Sequence, residues 1–203
     1  MISKFELEHK KLFEAEFVVG KTFRLVKINP DCEQDASFVI ELRNRKLNNY
    51  LRASNISLND QMNYFKKYQL DFGRGEQIYF KIFDISKNTF NGIVRLTELN
   101  KTSKFCYESM VVKENISPVV PTDVVLAIYT IGFEKLFKKN CGPFPVSKKN
   151  IRVLDWHKKI GMTEIINEDN EYFYLEISSE NYFNNIEKYK KLGLGLVNYE
   201  NKK

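Results

Sequence analysis

The stretch Val146-Ser-Lys-Lys-Asn150-Ile-Arg-Val-Leu-Asp-Trp-His157-Lys-Lys-Ile-Gly161-Met162 is where the fold of this chain is most legible. Residues 150–160 read as a helix, with Val153, Leu154, His157 and Ile160 on one face. Gly161 stands where a left-handed residue closes a helix. Just before it, Gly142-Pro-Phe-Pro-Val146 is a short extended segment interrupted by prolines. Extended segment, helix and terminal glycine thus follow one another within about 20 residues.

Working outward, residues 122–137 are apolar almost all round, which predicts a central, buried helix. Ahead of it lie three β-rich runs, 77–85, 90–99 and 104–112, with short polar connections that predict an antiparallel meander. Ser57-x-x-Asp60 resembles a capping box and opens a helix with Leu58, Met62, Phe65 and Tyr68 on its face, ended at Gly73-Arg-Gly75. Ala36, Val39, Ile40, Leu47, Tyr50 and Leu51 recur at helical spacing, and residues 22–28 alternate as a strand. Downstream, 171–177 reads as a strand and 182–192 as a terminal helix, with a loose tail after Gly195. The order β-α-α-β-β-β-α-β-α-β predicts a mixed α/β (α+β) fold, one largely antiparallel central sheet flanked by helices. We read one domain over 1–203, its core at about 20–177 and a C-terminal helix and tail at 178–203.

Composition narrows the function. No apolar run approaches the roughly 20 residues that cross a bilayer, so membrane insertion is not expected. The charged start lacks the apolar region of a signal peptide, and a cytoplasmic protein is expected. Cys32, Cys106 and Cys141 form neither a metal pattern nor a disulfide framework. The net charge of +6 comes from lysine pairs scattered along the chain, which read as solvated faces. Tyr64-Phe-Lys-Lys-Tyr68 interleaves aromatic and basic residues but fits an amphipathic helix, so nucleic acid is not expected as a partner. No metal cluster, Ser/His/Asp pattern, P-loop or dinucleotide fingerprint is present.

The 146–162 stretch resembles the penultimate strand-and-helix motif of the GNAT acyltransferase superfamily, V-x-x-x-N followed by Tyr, Lys and Gly-Phe. Asn150 and Gly161 match in place, His157 stands at the Tyr position and Met162 at the Phe position. The run 123–136 is similar to the family's central helix. Phe23-Arg-Leu and Glu41-Leu-Arg-Asn44 resemble the branch of ribosomal-protein and nucleotide-sugar N-acetyltransferases. The resemblance implies an acetyl-CoA-dependent N-acetyltransferase without a metal. It departs at one place. The family's pyrophosphate loop, Q/R-x-x-G-x-G/A, aligns with Ile116-Ser-Pro-Val119-Val-Pro121, where valine and proline fill both small-residue positions. Pro121 removes a donor, which leaves Val119, Val120 and Thr122 as candidate phosphate-binding residues at the start of the helix.

The resemblance further implies that a backbone N–H within Met110-Val111-Val112 holds the thioester carbonyl, with Asn150 beside the cofactor. His157 is the candidate acid for the leaving thiolate, with a core histidine as the equal alternative. Glu108, and behind it Glu98, are candidate bases. Arg43, Asn44 and Asn49, with Asn48 and Arg52, supply a polar set at the first two helices, where this fold selects its acceptor. The preferred acceptor is a nucleotide-linked amino sugar for surface-glycan synthesis; a protein N-terminal amine and a non-catalytic binding module are the alternatives. A homodimer is left open.

Overall fold

The computed structural model describes residues 2–45, 55–101 and 103–201. Leu47, Asn48, Asn49, Tyr50, Leu51 and Arg52, read above as helix or acceptor-site residues, lie outside the described residues.

Helix α1, Lys4–Glu14, opens on a capping box in which the Ser3 side chain takes the Glu6 N–H and Glu6 returns the bond. A short hairpin follows, β1 (Phe17–Val19) and β2 (Phe23–Lys27). Helix α2, Glu33–Arg43, and helix α3, Leu58–Gly73, come next, and α3 carries the Ser57/Asp60 capping box that its sequence signals. Strands β3 (Ile78–Asp84), β4 (Thr89–Thr97) and β5 (Lys104–Val112) form the expected antiparallel meander. Helix α4, Val119–Thr130, continues as a π-helical turn through Lys135, and β6, Asn140–Ser147, is a full strand. Helix α5, Ile151–Ile160, ends on Gly161 at φ 70°, as the sequence predicts. Strands β7 (Glu164–Glu168) and β8 (Tyr172–Ser178), helix α6 (Ser179–Lys190) and β9 (Asn198–Glu200) complete the order.

The strands make one sheet in the order β7-β8-β6-β5-β4-β3-β2-β1-β9. Every neighbouring pair is antiparallel except β5 and β6. One face packs on α4, whose Val124, Leu126, Ala127 and Ile128 are fully buried against Phe80, Val94, Leu96 and Phe105. The other face carries α2 and α3 over Tyr79, Ile93 and Val111. Each layer buries an apolar stripe that would otherwise meet water, the main term favouring the fold. No helix among the described residues is long and apolar enough to cross a membrane.

Two expectations are corrected. The described tail after Gly195, residues 196–201, is not loose: β9 pairs with β1, Gly195 gives its N–H to the buried Asp123 at 2.8 Å, and its carbonyl accepts the Thr130 hydroxyl at 2.7 Å. The central helix begins at Val119, three residues earlier than its apolar pattern suggests, because Pro118 suits a helix start and Pro121 still lies in the first turn. The extended segment at 142–146 is the expected strand, paired with β8, and its prolines are the exposed Pro143 and Pro145.

Candidate active site

The central feature is a fork. Strands β5 and β6 run parallel and pair only at Lys104↔Asn140 and Phe105↔Cys141, after which they separate. A bulge on the other side of β5 sets the divergence: Arg95 pairs with Glu108 and Ile93 with Val111, so Ser109 and Met110 together oppose Val94. Ser109 lies at φ 52°, a left-handed conformation that costs a non-glycine residue of order 1 kcal/mol. The bulge turns the backbone of Met110, Val111 and Val112 at the open end of the fork. Tyr107 and Phe144 line its α4 side, ring centroids 4.8 Å apart.

The face under α2 and α3 brings polar groups to the bulge. Arg43, the last residue of α2, donates to the Ser109 hydroxyl at 3.1 Å and also bonds the Tyr79 hydroxyl. Glu108 forms an ion pair with Arg95, which also donates to the Tyr64 hydroxyl. Gln77 donates to Asp71 at 2.6 Å and extends this network towards the end of α3. A cavity of about 570 Å³ opens beside it, lined by Asp71, Gln77, Arg95, Thr97, Glu98 and Glu108 among others. Asn44 is turned away from this face, since its amide clamps the Ile56 backbone through bonds of 3.1 and 3.2 Å. Glu98 sits at the closed end, paired with Lys101 and Lys104. Of the two carboxylates considered as bases, only Glu108 stands next to the bulge.

His157 lies on the α4 face of the fork at 4% exposure. Its Nδ1 is 3.0 Å from the Thr163 hydroxyl, and its ring centroid is 5.5 Å from Phe144 and 4.9 Å from Trp156. Burial lowers its pKa from 6.5 to about 4, because no carboxylate compensates the desolvated imidazolium. The ring is therefore neutral at pH 7 and has no imidazolium proton to deliver. Asn150 caps α5, its side chain accepting the Val153 N–H at 3.4 Å.

The start of α4 is braced from inside. Asp84, at the end of β3, is fully buried, and its carboxylate accepts the Ser117 N–H at 3.0 Å and the Ser86 hydroxyl at 2.7 Å. Val120 gives its N–H to the Ser117 carbonyl at 2.9 Å, so it is not available to a phosphate as its sequence suggested. Val119 is exposed at the first helical position. The Thr122 hydroxyl accepts the Trp156 indole N–H at 2.9 Å, tying α5 to the first turn of α4.

Solved structures share the overall fold of this chain. The apo structure of FdhC, a nucleotide-linked sugar GNAT, superposes with a TM-score of 0.71 at 28% identity, covering 86% of this chain and 99% of that one. The chain has the GNAT fold. The Campylobacter jejuni N-acetyltransferase PseH in complex with acetyl coenzyme A (TM-score 0.57, 18% identity, 77% of this chain and 98% of that one) agrees in fold. So does a Bacillus anthracis GNAT-family acetyltransferase (0.62, 15%, 81% and 99%). No protein-family profile and no curated protein matches the chain.

Within the GNAT fold, Met110, Val111, Val112 and Glu108 stand together at the mouth of the fork with Arg43, while Asn44 and Glu98 do not join them. Sequence reasoning missed Arg95, Tyr64, Ser109 and Asp84. Arg95 was within reach: the meander register sets it opposite Glu108, the cross-strand position for an ion pair. Asp84 carried only the signal of a local turn with Ser86 and Lys87, because its partner at the start of α4, Ser117, is 33 residues away.

Proposed function

We propose that this chain is an acetyl-CoA-dependent N-acetyltransferase acting on the primary amine of a nucleotide-linked sugar. The observation that carries the reading is the fork between β5 and β6 with the Ser109–Met110 bulge at its mouth. Past Phe105 the β6-facing backbone groups of β5 have no ladder partner, so a slender amide-bearing arm can take the place of a missing strand. Acetyl-CoA supplies an acetyl thioester, whose carbonyl gains negative charge when an amine attacks.

The chain's groups divide the work by position. A backbone N–H beyond the bulge, among Met110 to Val112, is the donor for the developing oxyanion, and the strained turn fixes its direction beforehand. Glu108 accepts the amine proton, directly or through water, with Arg95 holding its carboxylate in place. An amine of pKa about 8 is already about 10% neutral at pH 7, so this base contributes only about tenfold. The CoA thiol has a pKa near that of cysteine, about 8.5, and its thiolate departs without an obligatory acid. The neutral, buried His157 then serves the fork by packing against Phe144. Most of the rate enhancement comes from holding amine and thioester together.

The sugar acceptor is supported by the 28% identity to a nucleotide-linked sugar GNAT and by Arg43 at the bulge, whose guanidinium suits a phosphate. A second reading, a GNAT-fold module that binds no acyl-CoA, is favoured by the proline-bearing start of α4. A melting experiment separates the two: acetyl-CoA at 100 times its Kd stabilises a binding protein by about 2.7 kcal/mol. An unchanged melting temperature at millimolar acetyl-CoA would remove the enzymatic reading.

A further inference from the structure

We propose that the diphosphate of the acyl-CoA is held by Arg152 of α5, rather than by backbone N–H groups at the start of α4. This rests on the acyl-CoA reading above.

At the start of α4 the main-chain donors are largely engaged. Pro118 and Pro121 have no N–H, Ser117 gives its own to Asp84, and Val120 gives its own to the Ser117 carbonyl. Asp84 also adds a fixed negative charge beneath the helix end. Burial acts to raise this carboxyl, but bonds from Ser117, Ser86 and the Lys87 N–H outweigh it and hold the pKa below the usual carboxylate range. An internal carboxylate thus occupies donors that a phosphate would need, and its charge opposes the positive end of the helix. Lys87 and Lys113 do not relieve this, since Lys87 is turned onto the Asn115 carbonyl and Lys113 lies over Phe38 and near Glu41.

The compensating charge stands on α5. β5 and β6 are parallel and lead into α4 and α5, so both helices start at the same edge of the sheet. The bond from Trp156 to Thr122 shows which flank of α5 faces α4. Arg152 and Lys159 share that flank with Trp156, at four and three residues' spacing. Arg152 is one turn, about 6 Å, N-terminal to Trp156, and Val119 is about 4.5 Å N-terminal to Thr122. Arg152 is therefore level with the first residue of α4, at the mouth of the fork. It is exposed, and no described residue pairs with it. A guanidinium there meets both oxygens of a phosphate in one fork-shaped contact, which a lysine cannot do.

The test is calorimetric titration of Arg152→Ala and the unaltered chain with acetyl-CoA, acetyl-dephospho-CoA and acetyl-pantetheine. Arg152 is on the surface, so the variant should fold and melt as before. The proposal expects Arg152→Ala to bind acetyl-CoA about 10- to 100-fold more weakly. The loss should be equal for acetyl-dephospho-CoA, which keeps the diphosphate, and absent for acetyl-pantetheine, which has no phosphate. Equal affinity of both proteins for acetyl-CoA would overturn it. A loss confined to acetyl-CoA would also overturn it, by assigning Arg152 to the 3′-phosphate. An unaltered chain that binds none of the three removes the acyl-CoA reading itself, a distinct result that takes this inference with it.

Discussion

Trp156 donates its indole N–H to the Thr122 hydroxyl across 2.9 Å, and this bond sets α5 against the first turn of α4. Thr122→Val leaves the indole N–H with no partner at a half-buried site. The expected loss of stability is about 1 kcal/mol, read as a lower melting temperature. Trp156 is the only tryptophan in the chain, so its emission should also shift in the variant. An unchanged spectrum and melting temperature would mean the bond does not organise the two helices.

His157 predicts a pH effect on stability. Its folded pKa of about 4 lies below the unfolded value of 6.5. Between the two, the unfolded chain binds a proton that the folded chain refuses, so stability falls as pH drops through that window, by roughly 3 kcal/mol in all. His157→Phe should flatten this segment of the stability curve and leave turnover at pH 7.5 within a few-fold of the unaltered chain. A 10²-fold loss of turnover at an unchanged melting temperature would restore His157 as the thiolate's acid.

Asp84 acts in a lower window. Its folded pKa is depressed, so it stabilises the chain above the ordinary aspartate range, and that contribution disappears as pH falls through the depressed value. Asp84→Asn points an amide at donors that the carboxylate accepted, and should lower the melting temperature at pH 7. Its melting should also vary less between pH 5 and 3. Identical acid melting curves for the two proteins would mean that Asp84 does not brace the start of α4.

The parts of the fold legible in sequence are those with a strong local period. The meander, α3 with its capping box and α5 with its closing glycine all repeat an apolar pattern over several turns or strands. What escaped was short or non-local. β1 and β9 are three residues each, β1 held in a hairpin with β2 and β9 held by pairing with β1. Helix α1 had a readable signal in Ser3-x-x-Glu6, masked by the charge of the segment. The bulge was hidden because Ser109 is not a glycine, so nothing in the sequence announces a left-handed residue. At the site, Glu108 stood out as an acid in an apolar strand, whereas Met110–Val112 came only from the family resemblance. The pairing of Glu108 with Arg95 and the bracing by Asp84 depended on register and on contacts between distant segments.

Acyl transfer at the mouth of the fork releases the CoA thiol, and that release is the measurement to make. The purified chain is supplied with acetyl-CoA and a nucleotide-linked amino sugar, and free thiol is followed with time. The expected result is sugar-dependent thiol release with one N-acetylated sugar formed per thiol, reduced by Glu108→Gln by about tenfold at pH 7. No sugar-dependent release from a chain that acetyl-CoA demonstrably stabilises would contradict the proposed acceptor. Thiol release with none of the amine acetylated would contradict the transfer itself.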